Sequence, residues 1–218
     1  MTAGRIVAAG IVVVAAVVGG TARAQMPGQP VLQNAFSSPG VTVAANYGTG
    51  DSVRGYAGAA SWAPPNGRFQ VSAGLGAVEP EGEDLVLSWG ARVMAPLPLL
   101  RPEGSLAVAA FAGAGGASPD GSTVLFAPVG VAAGYRRALG ATRGLSIYVA
   151  PFYGWSRASA DEATSSSGVV RVSLGIDLAI SQSLGVSAGY ETGATAEDGN
   201  PGSSGDVFGV GVSYVLRR

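Results

Sequence analysis

Phe69-Gln70-Val71-Ser72-Ala73-Gly74-Leu75-Gly76-Ala77 is the stretch that decides the fold. Phe69, Val71, Ala73, Leu75 and Ala77 recur at every second position, which is the period of a β-strand with one apolar face. The residues between them are Gln, Ser and Gly, not the Lys, Glu and Thr usual on a strand that faces water. The same two-sided pattern returns along the chain. Val41, Val43, Ala45 and Tyr47 form one apolar row, and Leu85, Leu87, Trp89, Ala91 and Val93 another. Gly90, Arg92, Gly209, Gly211 and Ser213 belong to the opposite, small-residue rows. A soluble secreted β-sandwich also alternates, but its second face is richer in charge. Only 12% of this chain is charged, against about 25% in soluble domains. The pattern predicts an all-β, closed antiparallel transmembrane β-barrel, with its apolar side chains toward lipid and its small ones in the lumen.

The periodic segments predict about ten strands. They run over Val41–Tyr47, Gly55–Ala63, Arg68–Val78, Asp84–Ala95, Ser105–Ala114, Thr123–Arg137, Leu145–Ser156, Gly168–Ile180, Leu184–Thr192 and Asp206–Leu216. An eight-stranded alternative leaves one hairpin, such as the first, outside the barrel. Pro64-Pro65-Asn66-Gly67 predicts a tight turn, and Pro128 predicts a bulge or weak spot inside its strand. Connections after odd strands are polar and often long, including a mobile loop over Arg157–Ser167. Those after even strands are mostly shorter. Outer-membrane barrels show this asymmetry, with an even strand number and both chain ends in the periplasm.

The barrel is expected over residues 40–218. Met1–Ala24 before it reads as a signal peptide: Arg5 is followed by the apolar run Ile6–Gly20 and by Ala22-Arg23-Ala24, a small-x-small cleavage site. That run is short for a spanning helix, which needs about 20 apolar residues. Residues 25–39 read as a polar periplasmic lead-in. The formal charge of the whole chain is −1, which gives no reason to expect nucleic-acid binding. No Cys is present, so disulfides and a Cys-linked lipid anchor are excluded, and no His is present either. Ser-His and Cys-His nucleophilic systems are therefore impossible, as is nearly every zinc site. No cofactor is implied, and Gly113–Gly116 lacks the Lys-Ser/Thr that completes a phosphate loop. Glu197-Asp198-Gly199-Asn200 is only a fragment of a calcium loop.

Aromatic side chains share parity with the aliphatic rows and cluster toward strand ends. Tyr47, Tyr56, Tyr153, Trp155, Tyr190 and Phe208 lie near loop ends, and Trp62, Phe69, Tyr135 and Tyr214 near turn ends. Two girdles at the two bilayer interfaces would look like this. Trp89, near mid-strand, departs from the pattern. Arg92, Arg171 and Asp177 fall on the lumen side within strands, as does Arg136 near a strand end. Facing lipid, a charge would cost about 2–4 kcal/mol at the midplane. Asp177 toward the turn end is placed to pair with Arg92 or Arg136, as an internal brace and plug or as a gate. Acidic residues, Glu191 among them, gather at the loop side, and Arg68, Arg101, Arg136, Arg137, Arg143, Arg217 and Arg218 at the turn side. An acidic rim suits solvated loops, or divalent bridges to lipopolysaccharide phosphates.

Over about Gly40 to Leu216 the chain resembles the small bacterial outer-membrane β-barrel proteins, the OmpA/OmpX-like and opacity-protein-like group. Phe208-Gly209-Val210-Gly211-Val212-Ser213-Tyr214-Val215-Leu216 matches the alternating closing strand read by the barrel-assembly machinery, although the chain then ends in Arg217-Arg218 without a terminal aromatic. The resemblance implies insertion in an outer membrane among its lipids. It also implies a role such as surface interaction or narrow-pore permeation. Barrel proteases, lipases and acyl transferases of similar architecture depend on a His, so a non-enzymatic role is expected. A structural or surface-interaction role with acidic extracellular loops is the first reading, and a narrow porin-like channel the second.

Overall fold

The computed structural model describes residues 34–36, 38–50, 53–80, 84–98, 105–118, 122–160, 163–195 and 206–216. The expected signal peptide, most of the lead-in, Arg217-Arg218, Arg101, the Glu197–Asn200 fragment and several of the acidic loop positions lie outside them. Ten strands follow one another: β1 Gly40–Gly50, β2 Val53–Ala63, β3 Gln70–Pro80, β4 Val86–Pro96, β5 Leu106–Ala117, β6 Ser122–Ala138, β7 Gly144–Ala160, β8 Ala163–Ala179, β9 Leu184–Thr195 and β10 Val207–Leu216. Each pairs antiparallel with its neighbour in sequence, and β1 pairs with β10 to close the ring. The first hairpin is thus part of the wall, and the eight-stranded alternative falls.

Register is continuous in every hairpin, with no bulge among the ladders. Followed round the ring, it returns to β1 displaced by about a dozen residues, a stagger that tilts ten strands by about 40°. Of the two expectations for Pro128, a bulge or a weak spot, the structure shows the weak spot. The β5–β6 ladder simply lapses between Ala112↔Val129 and Gly115↔Phe126, with the register unchanged on either side. A second lapse, between Gly130↔Phe152 and Ala133↔Val149, falls opposite Pro151. A proline removes a donor without adding a residue, so the ladder loses a rung and keeps its phase.

The wall carries its apolar side chains outward. Leu75 is 73% exposed and Leu87 74% exposed, values that only a lipid-facing position makes reasonable for Leu. Val43, Val93, Val129, Ile147, Leu174 and Val212 share that exterior. Pro64–Gly67 forms the tight turn, with Gly67 at φ 62° and its N–H donating to the Pro64 carbonyl at 2.9 Å.

Three strands are longer than the bilayer requires. β6, β7 and β8 have 17 residues each, where about 9–11 tilted residues suffice to span. The expected mobile loop over Arg157–Ser167 is therefore corrected. β7 and β8 continue as a ladder from Ser156↔Ser167 to Ala160↔Ala163, with the Ser156 and Ser167 hydroxyls 2.8 Å apart. Above the membrane a hairpin needs no apolar face, so its Ser, Thr and Ala carry no period-two signal although the backbone stays paired.

Candidate functional site

The lumen is the part of the molecule where polar side chains converge. Its filling follows the register. One line of cross-strand partners, Met94↔Phe111↔Gly130↔Phe152↔Arg171↔Gly193, runs obliquely from β4 to β9. Large side chains alternate with glycine along part of it, and the glycines make the room. A Cβ on Gly130 would collide with Phe152 and stand 2.8 Å from Phe111 Cζ. The adjacent line, Ala150↔Ser173↔Glu191↔Val207, is small except for Glu191. Phe126 covers Gly154, and Tyr148 covers Gly175. Met94, Ala109, Phe111, Phe126, Ala132, Tyr148, Ala150 and Phe152 form one buried cluster.

Arg171 and Glu191 are buried at the plug's centre. Arg171 Nε donates to Glu191 Oε1 at 2.6 Å, and both side chains are 0% exposed. The Ser173 hydroxyl donates to Glu191 Oε2 at 2.8 Å, so both carboxylate oxygens are satisfied. Charges inside a low-dielectric wall are costly unless they are paired or hydrogen-bonded. Glu191 was expected at the acidic rim; the structure corrects this and places it inside. The signal was available, since its neighbour Tyr190 points outward and parity sends Glu191 to the lumen.

The other lumen charges lie toward the turn side and are handled differently. The Asp177 carboxylate accepts hydrogen bonds from the Asn34 side-chain amide and from the Ser146 hydroxyl. The expected pairing of Asp177 with Arg92 or Arg136 is therefore replaced by neutral donors. The Arg92 guanidinium lies 5.9 Å from the centre of the Phe111 ring, and that of Arg136 lies 4.8 Å from the Phe36 ring. Residues 34–36 of the lead-in thus enter the barrel mouth: Ala35 is buried in the aromatic cluster, and Phe36 packs over Gly134. No sequence periodicity marks Asn34, so its role as an internal donor is visible only in the structure.

All the girdle aromatics face outward. Tyr47 and Tyr56 are register partners with ring centres 5.4 Å apart, and Trp62 meets Phe69 edge-on at 5.6 Å. Tyr190 partners Phe208, while Tyr135, Tyr153, Trp155 and Tyr214 stand exposed on the wall. The off-parity aromatics, Phe36, Phe111, Phe126, Tyr148 and Phe152, are the ones inside. No cluster of three or more His, Cys, Asp or Glu able to hold a metal occurs among the described residues.

A solved structure of matching architecture decides the class. The β domain of the Bordetella autotransporter BrkA superposes with a TM-score of 0.50 at 14% identity, covering 81% of this chain and 98% of that one. The fold is that of an outer-membrane β-barrel. The translocator domain of NalP from Neisseria meningitidis gives a TM-score of 0.47 at 13% identity over 81% of this chain and 87% of that one. The N-terminal barrel domain of OprF from Pseudomonas aeruginosa gives 0.38 at 9% identity over 81% of this chain and 96% of that one. No family model and no curated protein matches the chain. The lumen described above is therefore that of an outer-membrane-type barrel.

Proposed function

We propose that this protein is a non-enzymatic barrel of the bacterial outer membrane, exported by its signal peptide, whose closed wall anchors surface structures and does not conduct. The observation that carries the reading is the packed middle of the lumen, where Phe126, Arg171, Ser173 and Glu191 are the largest fully buried side chains. A conducting pore needs a continuous polar path, and this cross-section carries buried aromatic side chains packed against one another instead. The β7–β8 hairpin supports a surface role. It rises past the reach of β9, whose ladder with β8 starts at Thr195↔Val169, and it offers a polar, ordered projection. Acidic loops around it would face lipopolysaccharide, and the closing strand would serve the assembly machinery. Without His or Cys, the nucleophilic systems of barrel hydrolases have no place to reside.

Two experiments test this. Membrane fractions run on gels with and without boiling should show the heat-modifiable migration of a closed outer-membrane barrel; an identical position in both lanes would oppose it. In planar bilayers the purified protein should give no discrete single-channel steps. Reproducible steps would transfer the reading to a narrow porin-like channel.

A further inference from the structure

The turn-side half of the lumen is a blind chamber. It holds about 780 Å³ and is lined at its turn-side end by residues of the β6–β7 and β8–β9 turns. At its inner end stands Arg92, backed by Phe111 of the packed cluster. A space of this order suits a small organic molecule.

The chamber's chemistry is one-sided. Arg92 and Arg136 hold lumen-side positions along it, and Arg137 and Arg143 stand at its turn-side rim, against a single carboxylate, Asp177. That carboxylate is already occupied by Asn34 and Ser146. Much of the remaining polar lining is hydroxyl and amide, as at Gln70, Ser61 and Ser187. Phe36 and Phe111 brace the guanidinium groups of Arg136 and Arg92 on their faces. A guanidinium held beside an aromatic ring keeps the planar N–H fork that can meet a carboxylate with two bonds.

We infer that this chamber binds a small, hydroxyl-bearing carboxylate that enters from the turn side, with Arg92 at its inner end and Arg136 at its mouth. Because the packed layer closes the far side, the ligand is held and not passed on. The site is independent of what the surface loops do.

Calorimetric titration of the full barrel in neutral detergent, at fixed ionic strength, tests it with citrate as the carboxylate probe and xylitol as the uncharged polyol. Citrate is expected to bind at one site, and xylitol not to bind. Arg92→Gln and Arg136→Gln are each expected to weaken citrate by about tenfold or more, consistent with the loss of one charge-assisted contact. Heat-modifiable migration establishes that each variant is folded. Should Arg92→Gln fail to fold, Arg136→Gln at the mouth carries the test alone. The inference is overturned if citrate does not bind, if xylitol binds equally, or if folded variants bind citrate as tightly as the parent.

Discussion

The two halves of the lumen share a wall and differ in content. In the middle and toward the loops, Phe111, Phe126, Phe152 and Arg171 project over glycine and small-residue rows and are buried there. Toward the turns, the same kind of inner face, with Ser61, Ser72, Gly185 and Ser187, is left hollow. The ring closure is common to both, so closure alone does not decide whether such a barrel is solid. What decides it is where a few long side chains interrupt the small-residue rows. The difference also sets the cost of a charge. In the solid half a charge requires a dedicated counter-ion, whereas in the hollow half Asp177 makes do with an amide and a hydroxyl.

The sharpest way to break that contrast is at the buried pair. Glu191→Ala should destabilise the barrel by about 3–5 kcal/mol, because it removes the carboxylate to which the buried Arg171 Nε donates. Urea unfolding from lipid vesicles, followed by Trp fluorescence, measures it. Replacing both together, Arg171→Met with Glu191→Leu, should recover most of the loss, since well-packed apolar groups often match a buried ion pair. A single variant as stable as its parent would mean that water reaches the plug.

Glycine substitution probes packing directly. Gly130→Ala should cost about 1–3 kcal/mol, because its Cβ has nowhere to go between Phe111 and Phe152. Gly185→Ala in the hollow half meets the Ser213 hydroxyl at 2.9 Å, the mobile end of a side chain, and otherwise nothing closer than 3.7 Å. It should stay within about 0.5 kcal/mol of the parent. Equal losses at the two sites would erase the distinction between a filled and an empty half.

The outer face of this molecule was legible in the sequence, and much of the inner one was not. Lipid demands an apolar side chain at every outward position, so Val71, Leu75, Leu87 and Val212 announce their direction. The lumen makes no such demand. Gly and Ser rows read the same whether they line a cavity or leave room for a phenyl ring on the next strand. The off-parity positions of Phe111, Phe126, Tyr148 and Phe152 held the information about the plug, yet their meaning depends on which glycine stands opposite, and register supplies that. Glu191 reads as a rim residue by its nearness to a loop, while its parity points inward. Arg157–Ser167 reads as a loop in the sequence because a hairpin above the bilayer loses the alternation while keeping its hydrogen bonds. At Pro128 the sequence allows either a bulge or a weak spot, and only the register shows that a rung is lost and no residue added.

Smaller effects sharpen the contrast at its two ends. Asn34→Ala removes the donor shared by Asp177 and Ser146 at the hollow mouth. Since that mouth is only partly buried, water can replace the amide, and a loss of about 1 kcal/mol is expected. A loss as large as that of Glu191→Ala would mean that the turn side is as dry as the plug.

At the opposite rim, Asp206 precedes β10, and the Tyr190 hydroxyl, then Thr192, holds its carboxyl below the ordinary range. A carboxyl lowered on folding stabilises above its unfolded value and loses that contribution as the pH falls through its folded one. The parent should therefore lose slightly more stability than Asp206→Asn between neutral pH and strongly acid pH. The difference is the smallest proposed here, because Asp206 is open to water and salt screens it. Urea midpoints compared across that range measure it. Parallel curves for the two proteins would show that the Tyr190 contact contributes nothing to folding, and would leave the buried pair as the charge interaction that matters on the loop side.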